Sequence, residues 1–264
     1  MDGLLLSTFG SQWAVLAIAA LLLLTFAEVG FRLGLSLHVS HDQARKGQIG
    51  GIQGAVLGLL GLLLGFTFAM AVARHEARRE LVVKEANAIG TTFLRAALLP
   101  PAHVLPVEDL LRRYVALRIE LHSLADDQAK FAEALRLSAD LQRQLWEHAT
   151  AAGRESPTPI VATFIVTLNE TIDTEAERLA ASRNRIPGVV WLLLLIVASL
   201  GCVTSSYGAG AEGARSAFTS FVLPLLITVC MTLIFDVANP RQGFIGVSQQ
   251  PLLDLQESIK ATGG

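Results

Sequence analysis

Residues 50–73 read GGIQGAVLGLLGLLLGFTFAMAVA, a run without a single charge that exceeds the ~20 residues needed to cross the hydrocarbon of a bilayer. Five of its glycines, Gly50, Gly54, Gly58, Gly61 and Gly65, recur mostly four residues apart. Such a helix would be poor in water. In lipid, small residues at this spacing form a flat stripe that lets a second helix approach closely. The run passes without a Pro or loop signal into ARHEARRELVVKEANAIGTTFLRAALL, so one continuous helix is expected to leave the membrane and enter water. A chain built this way is an integral membrane protein that packs against something, copies of itself included.

The rest of the sequence fits that constraint. Of 264 residues 52% are hydrophobic and 17% charged, with a mean hydropathy of +0.50, whereas a soluble domain is nearer a quarter charged. Four spans are predicted, at about Trp13–Leu35, Gly50–Ala73, Pro187–Ser206 and Ala217–Phe235. The first lacks the basic leader and small-residue cleavage site of a signal peptide, since Asp2 is the only charge before Glu28. Cys202 and Cys230 both fall inside spans. In antiparallel spans their offset is about 15 Å at ~1.5 Å per residue, too far for a disulfide, so both are expected as free thiols.

Charge near the spans sets orientation. Arg74, Arg78, Arg79, Lys84, Arg178, Arg183, Arg185 and Arg241 lie on one side, against Arg32, Arg45, Lys46 and Arg215 on the other. The large domain and both termini are therefore expected in the cytoplasm, under the cell (inner) membrane. The predicted organisation is all-α: residues 1–73 carry spans one and two, 74–186 a cytoplasmic antiparallel helical bundle, 187–237 spans three and four, and 238–264 a cytoplasmic tail. Residues 74–186 hold fifteen Lys/Arg and sixteen Asp/Glu. Apolar residues recur there at helical spacing in four stretches, punctuated by Pro100-Pro101, Asp126-Asp127 and Gly153 through Pro159. The net charge of −2 gives no reason to expect nucleic acid as a partner. The expected partners are membrane lipid, further copies of the chain and small inorganic ions.

Enzyme chemistry finds no support. There is no phosphate-binding glycine loop, HExxH or GxSxG, and the glycines of span two follow no strand, so no catalytic, cofactor or metal site is predicted. His38-x-x-His41-Asp42 has chelating spacing, but Arg45 and Lys46 beside it would repel a cation, which favours a solvated interfacial loop. Glu28 is the one acid within a span, and charges there are candidates for function. Arg32 stands one turn later, so the alternatives are an i,i+4 ion pair at the interface or a place in an ion pathway. Pro224 removes a backbone hydrogen bond from span four and predicts a kink. Gln48, Gln53, Thr67, Thr228 and Thr232 are the polar groups available to spans two and four. A pore would be lined by small and apolar groups with polar donors at its ends.

Two strips carry a resemblance. One runs from Lys84 through Asn87, Gly90, Thr91 and Thr92 to Pro100. The other is Asp236-Val237-Ala238-Asn239-Pro240-Arg241-Gln242-Gly243 onward to Leu252. With the four-span layout they resemble the bestrophin-like domain family of bacterial membrane proteins. The resemblance implies four spans, a helical cytoplasmic domain and a channel role, because bestrophins are pentameric anion channels, gated in eukaryotes by calcium. The dense acidic cluster of a calcium clasp is absent here, and Phe66-Thr67-Phe68 is too short to equate with an aromatic neck. The matched residues also have physical readings. Asp236 can meet water or an Arg. Asn239-Pro240 stops a helix, and Gly243 permits the following turn. Asn87 and Gly90 are unexpected in a helix on propensity and fit either close packing or the wall of a vestibule.

Two functions compete. The first is an oligomeric ion channel, anion-permeable, with span two near the pore axis and Gly50, Gly54, Gly58, Gly61, Gly65, Phe66 and Thr67 packing there or lining it. The second is a non-conducting scaffold or sensor whose helical bundle binds a partner.

Overall fold

The computed structural model describes residues 12–36, 43–124, 127–239 and 245–262. Among them there is no strand. The α-helices are α1 (Gln12–Ser36), α2 (Gln43–Ala96), α3 (Pro101–Ser123), α4 (Gln128–Glu155), α5 (Pro159–Arg183), α6 (Gly188–Ala211), α7 (Leu223–Ala238) and α8 (Gln250–Thr262), with a π-helical turn at Phe218–Val222 entering α7. The breaks fall at the punctuation legible in the sequence. Pro101 and Pro159 stand in the first turns of α3 and α5, where their missing N–H is no loss. The Asp127 carboxylate caps α4 by accepting from the backbone N–H groups of Ala129 and Lys130, and the Thr158 hydroxyl accepts from that of Val161 to cap α5.

Four stretches of the described chain are long and apolar enough to cross a membrane: Leu16–Ser36, within Gly47–Ala96, within Pro159–Ala211, and Phe218–Ala238. The helix carrying the glycine run is unbroken from Gln43 to Ala96.

The chain divides into two compact units. The first comprises residues 1–75 and 185–246. Its core joins Leu23 and Ala27 of α1, Leu60 of α2, Leu194, Val197, Ala198 and Cys202 of α6, and Ile227 and Met231 of α7. The outer face stays apolar, with Leu21, Leu62, Phe66, Val189, Phe218 and Leu226 all more than half exposed, as expected where lipid rather than water is the solvent. Glycine sets the distance between α1 and α6. A Cβ on Gly30 would lie 2.4 Å from the Val203 carbonyl oxygen, on Gly34 2.4 Å from that of Tyr207, and on Gly210 2.2 Å from that of Phe31. The Gly30-x-x-x-Gly34 pair thus performs inside the chain the close helix approach that the sequence reading attached to α2. Cys202 and Cys230 are free thiols.

The kink expected at Pro224 takes a particular form. The π-helical turn ends at Val222 and Pro224 opens α7. The wide turn accommodates the residue that cannot donate to the preceding helix.

The second unit comprises residues 76–184 and 247–264. Val82, Ile89 and Phe93 of α2, Leu111 and Tyr114 of α3, Leu145 and Ala149 of α4, Phe164 and Leu168 of α5, and Leu252 and Ile259 of α8 share one core. Polar contacts fix α2 and α5 antiparallel: Lys84 donates to Glu177 at 2.7 Å, Thr92 and Thr171 share a hydrogen bond at 2.9 Å, and Arg95 donates to the Thr163 carbonyl at 2.9 Å. The chain's last helix, α8, belongs to this unit.

Candidate functional site

In the first unit α2 is two-faced. Leu60 is buried and Val56, Leu57, Leu63 and Leu64 pack on the shared core, and Ala71 lies in a neighbouring cluster with Ile234 and Val237. At 100° per residue, Gly50, Gly54, Gly58, Gly61 and Gly65 fall on the side turned away from these. All five are exposed, and no atom stands within 4 Å of where a Cβ would be on any of them. Phe66 is also outward, at 64% exposed. Thr67 parts from the set: one residue further round, it is buried and donates to the Leu63 carbonyl at 2.7 Å. Thr228 and Thr232 likewise return their hydroxyls to Pro224 and Thr228 carbonyls, both at 2.8 Å, so these three threonines satisfy their own helices instead of offering donors to a pore.

Beside the start of the glycine face lies a cavity of about 300 Å³ with a mixed lining, Gly50, Gln53, Ser205, Glu212, Ser216 and Thr219 among others. The Ser205 hydroxyl is buried without a hydrogen-bond partner. Of Gln48, Gln53 and Thr67, the polar groups of the apolar stretch of α2, Gln53 is the one that lines this cavity.

Glu28 is held by two guanidiniums. Arg32 donates its Nε at 2.8 Å, and Arg215, distant in sequence, donates to the other oxygen while stacking on the Phe31 ring at 4.9 Å. With about a third of its side chain exposed, Glu28 sits in a cluster with two guanidiniums and is not an isolated charge. The i,i+4 pair was legible, whereas Arg215 was not. Asp236 is buried within α7, and its carboxylate accepts from the Ile245 backbone N–H at 3.1 Å. Asn239 caps that helix. Pro240 and Gly243 lie outside the described residues, as do His38, His41 and Asp42.

The second unit holds a buried ionic cluster that the sequence reading missed. The Glu85 side chain is fully buried and accepts from Arg118 Nε at 2.6 Å and from Arg178. Arg118 reaches Glu175 at 3.1 Å. The Glu175 carboxylate also accepts from Tyr114, from Ser138 at 2.8 Å and from Gln142 at 2.6 Å. Arg178 donates to Gln249, at the threshold of α8. Two carboxylates thus face two guanidiniums. Burial works against the Arg118 cation, but Glu85 and Glu175 more than offset it, so its pKa is raised. Burial, reinforced by Glu175, pushes the Tyr114 phenol well above its usual value.

Asn87 and Gly90 have different settings. Asn87 is exposed and lines an open groove of about 640 Å³ with Arg79, Glu80, Lys84, Thr91 and Glu170. Gly90 lies under α8, where a Cβ would stand 3.1 Å from Leu255 Cδ1, so packing accounts for Gly90 and a polar wall for Asn87.

The matched segment places the chain in a family. The bestrophin-like domain family covers residues 19–252, and the chain belongs to it. Its fold is similar to that of crystal structures of a bacterial bestrophin homologue from Klebsiella pneumoniae. One variant matches with a TM-score of 0.65 at 13% identity, over 94% of this chain and 99% of that one. Another matches at 0.62 and 15%, over 94% and 98%. No curated protein sequence matches the chain.

Proposed function

We propose that the chain assembles with copies of itself into an ion channel of the cell membrane, anion-permeable, with the glycine face of α2 toward the pore axis and the 76–184 helices and both termini in the cytoplasm. One observation carries this reading. The longest charge-free stretch of the protein turns a face of five glycines outward with nothing of its own chain against it, while its opposite face is packed. Membership in the bestrophin-like family supports a channel role, and the basic flanks of residues 74–84 and 178–185 support the orientation. The walls are small and apolar, a lining that gates by dewetting in other pores. Planar-bilayer recording of the purified protein in asymmetric KCl is the test. A current reversing near the chloride potential is expected. Reversal at the potassium potential would overturn the anion preference. Silence from folded, oligomeric protein would overturn the channel.

The non-conducting scaffold is favoured by a different observation, the exposed Leu94, Leu98 and Leu105 of the second unit, at 69%, 58% and 73%. All three lie within twelve residues around the α2–α3 turn, and exposed apolar surface that is contiguous marks partner sites.

A further inference from the structure

His103 and His148 meet where α3 begins and α4 ends. Their Nδ1 atoms stand 3.0 Å apart, with the ring planes at 75° and centroids 5.3 Å apart. The far nitrogen of His103, Nε2, faces the Glu155 carboxylate at 3.3 Å. The His103 side chain is 13% exposed, and the helix positions beneath the pair, Ala149 and Ala152, are fully buried.

With both imidazoles neutral, this geometry assigns the tautomers. A contact with a carboxylate places a proton on His103 Nε2, which leaves His103 Nδ1 as a lone pair aimed at its neighbour. His148 must then carry its proton on Nδ1 to make the hydrogen bond. That one proton is all that stands between two imidazole lone pairs. Zinc–nitrogen bonds of 2.0–2.1 Å on a tetrahedral ion separate two nitrogens by roughly 3.3 Å, so an opening of a few tenths of an ångström, with both rings tilting to converge on a point beside the present hydrogen bond, would seat one ion on both. An outer carboxylate on the distal N–H of a ligating histidine is the arrangement that orients such ligands and raises their basicity.

The geometry points to a binding site for one borderline divalent transition metal, of the zinc type, ligated by His103 Nδ1 and His148 Nδ1 and oriented by Glu155. Metal entry releases the His148 Nδ1 proton to solvent, and water completes the coordination shell. Among the described residues no group of three or more His, Cys, Asp and Glu side chains is set to hold a metal. Two protein ligands therefore make this an exchangeable site, unlike the closed four-ligand sites that fold small domains. It would staple the start of α3 to the end of α4.

The test is Zn²⁺ titration of the tag-free, chelator-stripped full chain in mild detergent, with His38→Ala and His41→Ala in the background to silence the other histidine pair. Competition with a chromophoric chelator reads the affinity, and the thermal midpoint with and without Zn²⁺ reads the staple. One equivalent of Zn²⁺ should bind and raise the midpoint. Adding His148→Ala should abolish both effects. Glu155→Gln, which keeps the ligands, should weaken binding at least tenfold while leaving the metal-free midpoint unchanged. No Zn²⁺ binding by the background protein, or undiminished binding after His148→Ala, would overturn the site.

Discussion

Arg118 shows how much one side chain can hold. It lies 5% exposed between Glu85 and Glu175. Burying such a set is costly, and only its mutual pairing offsets the lost hydration. Arg118→Met removes one member and leaves two buried carboxylates with Arg178 as their one guanidinium, which should cost about 3–5 kcal/mol. A melt of the intact protein in detergent would read this as a large drop in midpoint. The double variant Arg118→Met/Glu85→Gln should be less destabilised than the sum of the two single variants, because they share a partner. Strict additivity would mean the cluster is not coupled. Tyr114 adds a pH signature. Burial raises its folded pKa well above the ordinary phenol value of 10.0. The unfolded chain therefore loses the phenolic proton first, and the stability Tyr114 supplies is complete below pH 10 and lost as the pH rises above it. Alkaline melts of Tyr114→Phe should lack that step. Little of this was legible in the sequence. Glu85, Arg118, Glu175 and Arg178 come from α2, α3 and α5, and helical periodicity describes one helix at a time. Glu85 even stood inside a strip singled out for its small polar residues, and its burial had no local mark.

At the scale of helices, two sets of glycines do opposite things. Gly30, Gly34 and Gly210 are filled by the backbone of a neighbouring helix. Gly54, Gly58 and Gly61 meet nothing of their own chain. An alanine methyl on Gly34 must push Tyr207 away and should destabilise the first unit by about 1–3 kcal/mol, the usual cost of overpacking. The same methyl on Gly58 meets open space, and alanine's better helix propensity makes the change neutral or mildly favourable in the unassembled chain. Thermal midpoints of Gly34→Ala and Gly58→Ala, measured in detergent that holds the chain monomeric, should therefore move apart. Equal losses would show that the Gly58 face packs within the chain after all. Sequence spacing marked the α2 stripe because five repeats are conspicuous. It passed over Gly30 and Gly34, where two glycines sit among ordinary span residues and the partner carbonyls arrive from α6, more than 150 residues on. The spans and helix breaks were legible because charge-free length, Pro and capping Asp act locally. The π-helical turn before Pro224 was legible only as a disturbance, since Pro dictates that the helix must yield and not how.

The whole molecule turns on what covers the glycine face. In a channel of several chains, α2 of one copy would approach that of the next, and Gly58→Leu would insert an isobutyl group at the closest approach. Two effects then separate. If the face holds copies together, Gly58→Leu should lower the oligomer fraction seen by native mass in mild detergent, and total bilayer current should fall in proportion while the surviving channels keep their unit conductance. If the face lines the pore, oligomer mass should hold and unit conductance should drop, since the side chain narrows a passage whose wall was bare backbone. Phe66 calibrates the comparison. It is 64% exposed but stands further round the helix from Gly58 and Gly65, so Phe66→Ala should alter one of the two readouts independently of Gly58. Unchanged mass together with unchanged current in Gly58→Leu would mean that lipid alone covers this stripe. The glycines would then have no role in assembly, and the channel reading would lose the observation on which it stands.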